Sequence, residues 1–254
     1  MNEAKPIKWP GSKTCLLKHL LPLPEHTSYV EVFGGSLALF AAKPRSKVEV
    51  VNDINEDLVT FYRVTQYHPE ALEKEMGHQL NSRQMLQDYL KQPGLTDVQR
   101  ASRFWLRNMI SFGAGGESFG VSHEPGNGGV QMKSEGQLAK MNALHKRLQG
   151  VSVERLSWEH CLKLYDRPAV LFFLDPPYVG GMQRPYAAWT SEDMATFAQR
   201  VKELKANWIV TVGDTPAMRE LWAFGDQQPV QRARVITAKA SQSFGELIVR
   251  KRAA

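Results

Sequence analysis

Five consecutive apolar residues, Val170 to Leu174, run directly into Asp175-Pro176-Pro177-Tyr178. An unbroken apolar run of this length is the pattern of a strand buried on both faces of a parallel sheet. Further strand patterns fall at 27–33, 47–51, 151–153 and 207–212, while 232–237 and 244–249 alternate as a closing antiparallel hairpin. The turn Gly34-Gly35-Ser36 leads from the first strand into an apolar helix reaching Ala42. The second strand ends at Asn52-Asp53-Ile54-Asn55, and a helix opens near Glu56. Strand, glycine turn, helix, strand and acid, in that order, make the βαβ half of a doubly wound nucleotide-binding fold. Residues 5–20 read as a loop and a short amphipathic helix, and 191–204 as a helix opening with Ser191 and Asp193 as capping groups. Between about 66 and 150 helical patterns dominate. There 98–110 carries Arg100, Arg103 and Arg107 beside Phe104, Trp105 and Leu106, and a glycine-rich loop follows. The expected architecture is α/β: a Rossmann-like doubly wound sheet from 1–65 and 151–254, with a mostly helical insertion at 66–150.

A chain of 254 residues can bury a substantial core, and 43% hydrophobic with 23% charged residues is ordinary for a globular protein. No stretch approaches the roughly 20 apolar residues that span a bilayer. The segment Met1-Asn2-Glu3-Ala4-Lys5 lacks the hydrophobic region of a signal peptide. Cys15 and Cys161 are far apart and the seven histidines are scattered, which argues against a disulfide scaffold or a zinc site. The expectation is a cytoplasmic protein without a metal. A net charge of +6 favours a polyanionic partner, an argument that gains weight only beside a motif.

The motif is the acidic corner. Pro176 and Pro177 lack backbone N–H groups and fix their own φ, so the chain past Asp175 is stiff and cannot continue the ladder. Asp175, the carbonyls of Asp175 and Pro176, and the Tyr178 ring then project from the strand's carboxyl end, where ligands bind in open α/β sheets. Such a corner suits a planar group with an exocyclic amine. One amine hydrogen goes to Asp175, the other to a proline carbonyl, and the ring stacks on Tyr178. The plainer reading is a proline turn that stops a sheet.

In Glu31-Val32-Phe33-Gly34-Gly35-Ser36, glycine lets the backbone approach a ligand that a Cβ would block, although a tight turn without a ligand has the same composition. The phosphate-cradling pattern Gly-x-Gly-x-x-Gly is absent. Asp53 is placed either to accept hydrogen bonds from both hydroxyls of a ribose or to cap a helix, a task Asn52, Asn55 or Glu56 could share. Trp9 and Lys13 flank Gly11: the lysine can neutralise a carboxylate and the tryptophan can cover an apolar or cationic face, or they are a core residue and a surface charge.

Taken in order, Lys8-Trp9-Pro10-Gly11-Ser12-Lys13, Phe33-Gly34-Gly35, Asn52-Asp53, an insertion and Asp175-Pro176-Pro177-Tyr178 resemble the Dam-type DNA adenine-N6 methyltransferases. The resemblance covers nearly the whole chain, including Ser111-Phe112-Gly113 and Phe244-Gly245-Glu246-Leu247. It implies a methyltransferase sheet, S-adenosylmethionine as cofactor, double-stranded DNA as partner, and transfer of a methyl group to N6 of an adenine flipped from the duplex. It also implies cofactor contacts at Trp9, Lys13, Glu31, Phe33, Gly35, Asp53 and Asp175, with Asp175, Pro176, Pro177 and Tyr178 as the catalytic adenine pocket. The insertion would recognise the target, with Arg103, Arg107, Asn108 and Phe112 as candidates for phosphate contacts, base edges or a wedge. An arginine-bearing amphipathic helix is the ordinary alternative for these. Leu37 stands where many relatives carry a further glycine, which leaves the shape of the turn open. An RNA adenine methyltransferase, a catalytically silent DNA-binding protein and a cytosine-N4 enzyme remain alternatives, although Ser-Pro-Pro-Tyr is the commoner form in the last.

Overall fold

In a computed structural model of the chain, the described residues are 7–80, 82–111, 117, 119, 135–180, 186, 188–237 and 240–252, with backbone alone at 135, 232–237 and 240–244. In chain order the elements are a 3-10 turn (Lys13–Leu16), α1 (Leu17–Leu20), β1 (Ser28–Glu31), α2 (Ala38–Ala42), β2 (Val48–Asn52), α3 (Glu56–Tyr67), α4 (Pro69–Gly77), α5 (Arg83–Lys91), α6 (Asp97–Ile110), α7 (Glu135–Leu148), β3 (Ser152–Glu154), α8 (Trp158–Tyr165), β4 (Val170–Leu174), α9 (Ser191–Lys202), β5 (Asn207–Gly213), α10 (Pro216–Leu221), β6 (Asp226–Thr237) and β7 (Ala240–Arg250). They fall into two compact units. One takes 1–17, 35–44 and 53–155, the other 18–34, 45–52 and 156–254.

Six strands of the sheet belong to the second unit, in the order β2-β1-β4-β5-β7-β6. The first four are parallel, and β7 runs antiparallel to both β5 and β6. Strand order therefore reverses between β1 and β4, the switch point at which open α/β sheets place ligands beyond their carboxyl ends. The register is set by burial. Val30, Val32, Val50, Phe172, Leu174, Val210 and Val212 share one core with Leu162 of α8 and Met194, Phe197 and Val201 of α9. Slipping any strand by one residue would turn these side chains to the opposite face. All five residues of β4 are buried, as its continuous apolar run requires.

Differences from the sequence expectation have local causes. β6 begins at Asp226 rather than near 232, running through Pro229, which pairs with Leu247. It is the last strand of the sheet, where a residue lacking an N–H is tolerated. Helix α9 is capped by Thr190 rather than Ser191: the Thr190 hydroxyl accepts from the Asp193 N–H at 3.1 Å and the Asp193 carboxylate accepts from the Thr190 N–H at 2.8 Å.

The first unit is mainly helical. Phe61 and Tyr62 of α3, Phe104 and Trp105 of α6, and Leu144 and Leu148 of α7 are buried in it. The Gln66 amide ties α3 to the end of α7 by donating to the carbonyls of Leu148 and Val151. Helices α4 to α7, from the 66–150 segment, share this unit with α2 and α3. Among the described residues no helix is long and apolar enough to cross a membrane.

Candidate active site

In the second unit β4 pairs with β5 as far as Leu174 opposite Val210. One residue further along each strand, the Thr211 hydroxyl donates to Asp175 Oδ1 at 2.7 Å. On the other side of β4, Glu31 stands opposite Phe173, and the Val32 N–H donates to the Phe173 carbonyl at 3.1 Å. Beyond Asp175 the two prolines turn the chain. The Tyr178 ring then lies beside Gly213, its Cδ2 3.8 Å from where a Cβ would stand on that glycine. Gly213 opposes Glu246 across β5 and β7, and the Tyr178 phenol donates to Glu246 Oε2. Burial foremost, then the Asp175 and Glu246 carboxylates, push the phenol well above the ordinary tyrosine value, so it remains a protonated donor. Gly245 is required by close approach, because a Cβ there would stand 2.7 Å from Asp214 Cβ. Asp214 in turn receives Arg219 through both oxygens at 2.6 and 2.8 Å, which holds its carboxyl below the usual range.

Two residues expected at the cofactor have partners elsewhere in this unit. Buried Glu31 accepts from the Tyr29 hydroxyl at 2.6 Å. The Phe33 ring packs edge-on against Trp189 and Phe197, with centroids 5.8 and 5.7 Å away.

The first unit gathers Trp9, Lys13, Gly35 and Asp53 around one turn. Gly35 has φ +48°, and a Cβ there would stand 3.0 Å from Trp9 Cδ1, so both conformation and space demand glycine. Its N–H donates to Asp53 Oδ2 at 2.9 Å, and its carbonyl accepts from the Tyr62 hydroxyl. Asp53 Oδ1 accepts from the Asn55 N–H at 2.9 Å, while Asn55 itself caps α3 through the Leu58 N–H at 3.0 Å. The capping task thus falls to Asn55. Asn52, in the second unit, bridges Val32 and Leu156 with its side-chain amide. Buried Lys13 donates to the Gly11 carbonyl at 2.8 Å, Trp9 packs on Phe104, and the Ser36 hydroxyl reaches Ser12 at 2.9 Å.

The turn's shape is settled at Leu37, whose φ of +53° and ψ of +35° are left-handed. That conformation costs a leucine about 1–2 kcal/mol. Its side chain is fully buried, and burial of a leucine contributes about 1.5–3 kcal/mol, so packing offsets the strain. Leucine here adopts glycine's conformation.

On α6, Arg103 hydrogen-bonds Gln92 and lies 4.7 Å from the centroid of the Tyr89 ring. Arg107 is half-buried, and burial lowers its pKa against the opposing pull of Asp57. Asn108 is buried on the stripe shared with Ala101, Phe104 and Trp105, its amide donating to the Phe104 carbonyl at 2.9 Å. Phe112 lies outside the described residues. Sequence reasoning gave no role to Thr211, Glu246 or Tyr62. A lone hydroxyl inside the apolar stretch 208–212 is the signal that marks the first.

The sheet defines a doubly wound α/β protein whose ligand edge lies at β1 and β4. The family model for D12 class N6 adenine-specific DNA methyltransferases matches residues 9–236, and the chain belongs to that family. It is an adenine-specific DNA methyltransferase that uses S-adenosylmethionine, with DNA as substrate. A search of curated proteins found no match. Solved structures similar to the chain include precorrin-6y C5,15-methyltransferase from Geobacter metallireducens GS-15, with 10% identity, 94% of this chain and 87% of that chain covered, and a TM-score of 0.39. SMU.1697c from Streptococcus mutans, in complex with SAH, has 8% identity, coverage of 94% and 95%, and a TM-score of 0.39. An rRNA methylase from Streptococcus thermophilus has 10% identity, coverage of 94% and 95%, and a TM-score of 0.34. Likenesses this slight assign neither fold nor chemistry.

Proposed function

We propose that Asp175, Pro176, Pro177 and Tyr178 form the pocket for an adenine flipped out of double-stranded DNA. One observation carries this reading: a carboxylate ends β4 at the switch point, stiffened by two prolines and flanked by a tyrosine anchored on Glu246. Adenine's amino nitrogen is a poor nucleophile because its lone pair is delocalised into the ring. Asp175 and a proline carbonyl accept the two amine hydrogens and favour a pyramidal nitrogen whose lone pair points at the methyl donor. As positive charge develops on nitrogen, the fixed Asp175 carboxylate stabilises it. Tyr178 holds the base by stacking.

The groups around Gly35 fit S-adenosylmethionine. Buried Asp53 offers a carboxylate to ribose hydroxyls, buried Lys13 an ammonium to the methionine carboxylate, and the Gly35 turn carries no side chain of its own. Trp9, Glu31, Phe33 and Asp175 complete the proposed contacts. The bound cofactor supplies an electrophilic methyl group. Flipping the base costs a few kcal/mol, drawn from contacts to the duplex. We assign these contacts to the 66–150 segment, with Arg103, Arg107 and Phe112 toward DNA and Asn108 holding α6 in shape. The net charge of +6 suits a phosphate backbone, and the cytoplasm is the proposed compartment.

The reading is tested by offering methyl-labelled cofactor with duplex DNA or with RNA of the same sequence. Label is expected in the DNA, and incorporation into RNA alone overturns it.

A further inference from the structure

We infer that Thr211 is a positioning residue for Asp175, setting the direction and the charge of the carboxylate that receives the adenine amine. The inference rests on the proposed role of Asp175 and adds a residue from a neighbouring strand to it.

Thr211 is fully buried in β5, between Val210 and Val212. A buried hydroxyl is costly unless bonded, and a valine would fill nearly the same space with no polar atom to satisfy. The hydroxyl donates to Asp175 Oδ1 at 2.7 Å and also meets the Tyr178 side chain in a hydrogen bond. Its direction is fixed twice over. Threonine is stiff at χ1, and the β4–β5 register, with Leu174 opposite Val210, brings residues 175 and 211 level on one face. An aspartate's own terminal torsion is broad and two-fold, so without such a donor the plane of the carboxylate is loosely held. Thr211 occupies one of the roughly four lone-pair positions of the group and fixes that plane.

The same bond favours the ionised carboxylate, because an ionised acceptor binds an O–H donor more strongly than a neutral one. Within this unit the other titratable groups near Asp175 are Tyr178 beyond the prolines, Glu246 on β7 and Glu31 on β1; Asp214, after β5, is paired with Arg219. Tyr178, Glu246, Glu31 and Asp214 are acidic groups, and the Thr211 hydroxyl adds a neutral donor that favours the ionised carboxylate.

The test compares Thr211→Val, Thr211→Ser and Asp175→Ala in single-turnover methyl transfer to duplex DNA across pH, with thermal melting to establish folding. Thr211→Val is expected to slow transfer about tenfold or more, the scale of one hydrogen bond to a charged group. The acid limb of its pH profile moves to higher pH, because losing the donor makes Asp175 easier to protonate. Thr211→Ser restores both rate and limb. Wild-type rate with an unmoved limb in Thr211→Val, or equal impairment in Thr211→Ser, overturns the inference. An active Asp175→Ala overturns the underlying assignment instead, while an inactive Asp175→Ala beside an unaffected Thr211→Val removes only the role of Thr211.

Discussion

Around Asp175 the geometry is set by side chains on strands held in register, whereas around Gly35 it is set by the conformation of the backbone itself. In the first region Thr211 reaches Asp175 and Tyr178 reaches Glu246 because apolar faces fix which residues stand level. In the second, Gly11, Gly35 and Leu37 all have positive φ, and Asp53 and Tyr62 hold the N–H and C=O of Gly35. The difference teaches where each region is vulnerable. A strand-built site keeps its scaffold when one polar side chain is removed and loses only chemistry. A turn-built site loses shape and binding together.

The comparison breaks most visibly at Asp175. Asp175→Ala is expected to cut methyl transfer by about a thousandfold, the upper scale for losing a group aimed at developing charge, while the melting temperature stays close to wild type. A large drop in melting temperature would show that the strand-built site also carries the fold.

Leu37 probes the other region. Leu37→Ala removes a fully buried side chain and should destabilise by about 2–5 kcal/mol in chemical denaturation. Leu37→Gly loses the same side chain but relieves the left-handed strain, so it should be the more stable of the two by about 1 kcal/mol. Helix and strand interiors show the opposite order. Alanine proving the better substitute would contradict a backbone-defined turn.

Asp53 sharpens the contrast with a smaller effect. Asp53→Ala releases the Gly35 and Asn55 N–H groups and removes the proposed ribose acceptor. Cofactor affinity by calorimetry should fall about tenfold to a hundredfold, as for one or two hydrogen bonds to a charged group. Unchanged affinity would remove the ribose role.

The sequence disclosed more of one region than of the other. The apolar run of β4 and the two prolines after Asp175 state their own structure, because burial on both faces and the absence of N–H groups leave few alternatives. Gly35 and Asp53 were legible for a similar reason, since glycine and an acid after successive strands have few uses. Thr211 and Glu246 were not, because their contacts to Asp175 and Tyr178 depend on the pairing of β4 with β5 and of β5 with β7. Spacing along the chain carries no trace of that pairing: the lone hydroxyl in the apolar run 208–212 marks Thr211 but not its partner. The left-handed backbone at Leu37 was hidden by the residue itself, a good helix former whose burial overrides its preference. At Asn108 the signal stands in the sequence itself. It falls four residues after Phe104, on the apolar stripe of α6, and burial follows from that spacing alone.

The most direct test of the central claim is the identity of the modified nucleoside. Duplex DNA treated with the protein and methyl-labelled cofactor, then digested to nucleosides, should carry the label on N6-methyladenine. Label found on cytosine N4, or no label in DNA at all, would contradict the account.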